Sequence, residues 1–125
     1  MRLSVSCAIA LSAVLLIAAT PVSARDLRLI EAAKGRDVQA VQALLKQGAD
    51  VNAPQGDGGT ALHWAVHRDD LATADVLIRA HANVNAANDL GTTPLFLACE
   101  NGNGAMVEKL LAAGANPNTP VSYTG

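Results

Sequence analysis

Thr93-Pro94-Leu95-Phe96-Leu97-Ala98 decides the fold once it is set beside Thr60-Ala61-Leu62-His63-Trp64-Ala65, 33 residues earlier. A third unit, Leu27-Arg28-Leu29-Ile30-Glu31-Ala32, stands 33 residues before that, with no gap needed. The register holds further along each unit. Leu44-Leu45, Leu77-Ile78 and Leu110-Leu111 coincide, and so do Gly58 and Gly91. Gly48-Ala49-Asp50-Val51-Asn52 falls on His81-Ala82-Asn83-Val84-Asn85 and on Gly114-Ala115-Asn116-Pro117-Asn118. A fixed period of this length marks stacked supersecondary units that share one continuous core.

Each unit reads as two short helices. A Thr hydroxyl at position 60 or 93 can accept a first-turn N–H, and Pro94 then takes the first helical position, where its missing donor costs nothing. Leu62, Ala65 and Val66 recur at helical spacing, as do Leu95, Ala98 and Cys99. Second helices are predicted over residues 38–47, 71–80 and 105–113. Gly48 and Gly114 end two of them in the left-handed conformation. His81 occupies that position in the middle unit and must adopt positive φ, at a cost of about 1 kcal/mol relative to Gly. Gly102-Asn103-Gly104 reads as a tight link between helices.

At these residues the chain resembles the ankyrin repeat family. The Thr-Pro-Leu-His-x-Ala opening, the Leu-Leu-x-x-Gly-Ala-x-x-Asn ending and the period carry the likeness over nearly all of residues 26–125. The resemblance implies an all-α solenoid of helix-turn-helix units with β-turn or hairpin connections. Units are expected at 25–57, 58–90 and 91–125. Unit 1 places Arg28, Glu31 and Lys34 where the others have Ala61 or Pro94, Trp64 or Leu97, and His67 or Glu100. This polar face suits a terminal cap. Unit 3 shows no such replacement, and Tyr123-Thr124-Gly125 falls about where another opening is due, so a longer array is expected.

Residues 1–24 differ in kind from the rest. Arg2 is their one charge, Cys7 to Ala19 is apolar apart from Ser12, and Val22-Ser23-Ala24 follows the helix-breaking Pro21. This is the layout of a secretory signal peptide, with cleavage expected between Ala24 and Arg25. An uncleaved anchor is the alternative, although the apolar run is short for a bilayer span. The expected location is exported, periplasmic or secreted from a bacterium, with no membrane association once the signal is removed.

Composition narrows the function. A net charge of −2 gives no electrostatic footprint for nucleic acid. One tryptophan, one tyrosine and one phenylalanine leave a core of Ala, Leu and Val. Beyond residue 24 the sole Ser is Ser122, so no serine-based triad arises, and the sole Cys is Cys99, so no internal disulfide forms. Cys99 aligns with Ala33 and Val66 and is expected to be buried and inert. His63 and His67 have a spacing that can bind zinc, but no third ligand completes the set. The resemblance makes His63 the structural histidine of the motif. Trp64 invites a reading as an interaction hot spot, but it shares its register position with Leu97, so packing between units is the expectation.

No catalysis, metal or cofactor is expected. The resemblance implies a monomeric scaffold that binds another protein through turn tips and the exposed side of each first helix. Carried over residue by residue, that surface comprises Asp57 and Gly59, then Asp89, Leu90 and Thr92, in the turns. On the helices it comprises Lys34, His67 and Arg68, Glu100 and Asn101. Two alternatives place an active domain beyond residue 125, with the repeats as the recognition arm of an enzyme or of a secreted effector. A third has the units inhibit or protect one exported enzyme.

Overall fold

A computed structural model describes residues 27–120. The signal-peptide reading of residues 1–24 and the chain end at Tyr123-Thr124-Gly125 lie outside the described residues. Six helices are present, and no strand, among the described residues: α1 (Arg28–Lys34), α2 (Val38–Lys46), α3 (Ala61–His67), α4 (Leu71–Arg79), α5 (Pro94–Glu100) and α6 (Gly104–Ala112). No helix of these residues is long and apolar enough to cross a membrane. The second helices match the expected ranges to within one residue, and Gly104 opens α6 because Asn103 caps it, accepting from Met106 N–H at 3.1 Å.

Helix starts follow from local chemistry. Thr93 Oγ1 accepts from Phe96 N–H, with Pro94 in the first turn behind it. Thr60 N–H donates to Nδ1 of His63, closing the first turn of α3. The second helices begin at Asp37, Asp70 and Asn103, each accepting from a backbone N–H three residues on. Each removes one of the donors that a helix start leaves free. The link before each cap requires a left-handed residue: Arg36 (φ 58), Asp69 (φ 54) and Gly102 (φ 68). His81 adopts φ 68 as its register demands, beside Gly48 and Gly114 at 86 and 96.

The core is one ladder. α1 packs on α3 and α3 on α5, each first helix also packs on the second helix of its unit, and α2 packs on α4. Ala33, Ala65, Val66 and Ala98 are fully enclosed along the first-helix row, with Leu77, Met106 and Leu110 from the second. Small side chains in the first row let neighbouring helices approach closely, which compensates for the scarcity of aromatics. Thr73 and Asp70 are buried polar residues that satisfy each other, Oγ1 donating to Oδ2 at 2.6 Å.

Asparagines staple the units together. Asn52 Oδ1 accepts from Asn83 N–H at 2.7 Å, and one unit on Asn85 Oδ1 accepts from Asn116 N–H at the same distance. Their Nδ2 groups donate to the carbonyls of His81 and Gly114.

One expectation is overturned. Cys99 is exposed, not buried. Its register is right, since Ala33 and Val66 in the same row have no exposure. They are enclosed because α3 and α5 lie against them, whereas no described helix lies against that face of α5. Leu111, 42% exposed, shows the same effect.

Candidate functional site

The turns before α3 and α5 are built alike. Gln55 N–H donates to the Gly59 carbonyl at 2.8 Å, and Asn88 N–H to that of Thr92 at 3.0 Å. Asp89 N–H donates to the Asp57 carbonyl at 2.8 Å and ties one tip to the next. These are hairpin-like loops without strand pairing. Asp57 Oδ1 accepts from Gly59 N–H in one tip, and Asn88 Oδ1 accepts from Thr92 N–H in the other. Because Asn88 holds its turn, the side chain of residue 90 is released from that task. Leu90 stands there 72% exposed.

A small pocket of about 130 Å³ opens between the first of these turns and α3. Gln55, Asp57 and Gly59 form one wall, His63, Trp64 and His67 the other, and Asn88 and Leu97 close it from the next unit. His63 fixes the floor. Its Nδ1 accepts from Thr60 N–H at 3.1 Å, so the proton sits on Nε2, which donates to the Thr92 carbonyl at 3.0 Å. Burial is the main force holding the His63 pKa below the ordinary value, outweighing the Thr92 carbonyl and the Asp57 charge, which favour the cation. His63 is therefore a neutral strut between two units; its bond to Thr60 is the structural role the motif implied, and its bond to Thr92 goes beyond that role.

Trp64 departs from the expected packing role. It rests against the core but is only half-buried, and its remaining surface lines the pocket. Three contacts hold the ring. Its Nε1–H donates to Gln55 Oε1 at 3.0 Å. Lys34 Nζ lies 4.9 Å from the ring centroid. The His67 imidazole meets it edge-on at 5.7 Å. Gln55 also donates from Nε2 to Asp57 Oδ1 at 2.8 Å, so one amide bridges the acid and the indole. The Gly59 N–H, then the Gln55 amide, lower the Asp57 pKa and keep it ionised.

The residues expected at a binding surface separate into groups. Asp57, Gly59 and His67 meet in the pocket, and Lys34 joins through the Trp64 ring. Arg68, Asp89, Leu90 and Glu100 are exposed and are not among its walls. Gly59 and Thr92 contribute mainly backbone groups already bonded within their turns. Asn101 is exposed, yet its Nδ2 donates to the carbonyls of Val66 and His67 and to Asp69, stapling unit 3 to unit 2. Gln55 and Asn88 were not anticipated, and the open side of Trp64 fits the hot-spot reading that core packing had been set above. The signal for Trp64 was its register partner Glu31, a charged residue that no core position would take.

No curated protein matches this chain in comparison. The family described as "Ankyrin repeats (3 copies)" matches residues 29–120, well over half of the chain. Members are generally protein–protein interaction modules, typically without enzymatic activity. With the 33-residue register, the six paired helices and the stapled turns, this match establishes that the chain belongs to the ankyrin repeat family.

Proposed function

We propose that this protein is an exported scaffold that binds a protein partner through the turn tips and first helices, with Trp64 at the centre of the contact. The observation that carries the reading is the state of Trp64: half-open in a pocket, yet fixed by Gln55, Lys34 and His67. Tryptophan is prominent among residues that dominate binding energy. A ring already held in place loses little freedom when a partner arrives, so more of the contact energy appears as affinity. Leu90, exposed at the next tip, supplies a second apolar contact on the same side. Export rests on the signal-peptide layout of residues 1–24.

The test uses a photo-cross-linking amino acid placed at Leu90 or, as a control, at the exposed Glu108 on α6. In cells producing the full chain, one discrete adduct is expected from position 90 and none from position 108. Trp64→Ala should abolish it without unfolding the protein. Equal adducts from both positions would refute the assignment of the surface. Fractionation addresses export: recovery of the unprocessed chain in the cytosol alone would refute it.

A further inference from the structure

We infer that the pocket between the turn at residues 55–59 and α3 receives an arginine side chain of the partner protein. This rests on the scaffold reading and adds the chemistry of the guest. The pocket holds one formal charge apart from its histidines, the Asp57 carboxylate. The bonds that the Asp57 carboxylate accepts from other residues, from Gly59 N–H at 2.9 Å and Gln55 Nε2 at 2.8 Å, both fall on Oδ1. Oδ2 is left to accept from an incoming donor. Asp89, joined to Asp57 through the backbone and with its carboxylate beside Gly58, adds a second acid to this turn.

The other walls favour a cation with a flat head and an apolar stem. The indole N–H of Trp64 is already used by Gln55, so the ring offers its π surface. Tryptophan is the strongest aromatic partner for cations, and here it already holds Lys34 on one side. Lys34 is not a wall of the pocket, and its charge is paired with Glu31 at 2.9 Å. Leu97 provides apolar contact for a side-chain stem. The two His63 nitrogens are committed to Thr60 and Thr92, so they do not compete for the guest. A guanidinium can stack on the indole while donating to a carboxylate at its edge, a combination that the compact lysine ammonium cannot match.

Trp64 is the sole tryptophan, so its indole N–H resonance and its fluorescence both report on this pocket. The probes are three blocked peptides of glycine-X-glycine, with X as arginine, citrulline or lysine. Citrulline keeps the shape of arginine and removes the charge. The arginine peptide should shift the indole signal saturably and bind about fivefold or more tightly than the citrulline peptide, as expected of an ion pair combined with a cation–π contact. Asp57→Asn should bring arginine down to the citrulline level. Its Oδ1 still accepts from Gly59, so the variant is expected to fold, with a small drop in melting temperature for the lost charge. Failure of the arginine peptide to bind, equal binding of arginine and citrulline, or undiminished binding by the variant overturns the inference. Cross-linking at Leu90 does not depend on the guest's charge, so the scaffold reading and this inference can fail separately.

Discussion

Asn85→Ala should loosen the contact between units 2 and 3 without touching either unit's own helices. The substitution removes the bond accepted from Asn116 N–H at 2.7 Å and the bond donated to the Gly114 carbonyl at 3.1 Å. A net hydrogen bond is worth about 0.5–1.5 kcal/mol, and water can reach these exposed groups, so the loss is about 1–2 kcal/mol. For a domain of this size that lowers the melting temperature by about 5–10 °C. Asn118→Ala is the internal control. It stands at the same register position and its backbone N–H donates to Asn116 Oδ1 at 2.9 Å, just as Asn85 N–H donates to Asn83 Oδ1 at 3.0 Å. Its side chain makes no bond to another unit among the described residues, so its removal should cost less than about 0.5 kcal/mol. Asn52→Ala should fall between, because its bond to the His81 carbonyl is long at 3.4 Å. Urea titration and thermal melts followed by circular dichroism provide the comparison. If Asn118→Ala destabilises as much as Asn85→Ala, the effect belongs to the local turn and the stapling argument fails.

His81→Gly and Arg36→Gly should each stabilise by about 0.5–1 kcal/mol in the same melts, since both residues have φ near 60° and only glycine adopts it freely. Asp69→Gly should instead destabilise despite its φ of 54, because the Asp69 carboxylate accepts from Asn101 and Asn103. Stability should be level above about pH 6.5 and fall below it: the folded His63 pKa is depressed, so the unfolded chain binds more protons there. A His63→Gln variant followed downward from about pH 6.5 should lose that slope, while an unchanged slope would place the proton uptake elsewhere. Cys99 in a Cys7→Ser background should react fully with a water-soluble disulfide reagent before unfolding; protection until denaturation would contradict its exposure.

The fold was legible because a solenoid writes its period into the sequence. Leu29, Leu62 and Leu95 recur one unit apart, and all three are buried. Pro94 and the threonines at 60 and 93 announce the helix starts at single-residue resolution. The caps at Asp37, Asp70 and Asn103 were present at the same spacing, but short polar residues occur throughout these turns, so their identity alone did not single them out. The inter-unit asparagines were harder still. Asn52 and Asn85 were aligned as part of a turn, yet a bond to a residue 31 positions on can be seen only when the stack is assembled.

Cys99 and Trp64 show where register stops being informative. Alignment assigns a residue the burial of its row, but burial is a property of the neighbour. Val66 has no exposure because α5 covers it; Cys99 occupies the same geometry with no described helix against it, and is open. Trp64 shares its row with Glu31 and Leu97, so that row lies at the edge of the core, where side-chain length decides how much protrudes. Leu97 in that row is likewise only partly buried and lines the pocket, and the longer indole of Trp64 is held there by Gln55, Lys34 and His67. The proposed binding surface therefore lies where a residue exceeds what its row can bury. In the pocket beside α3 that excess is one aromatic ring facing one ionised carboxylate.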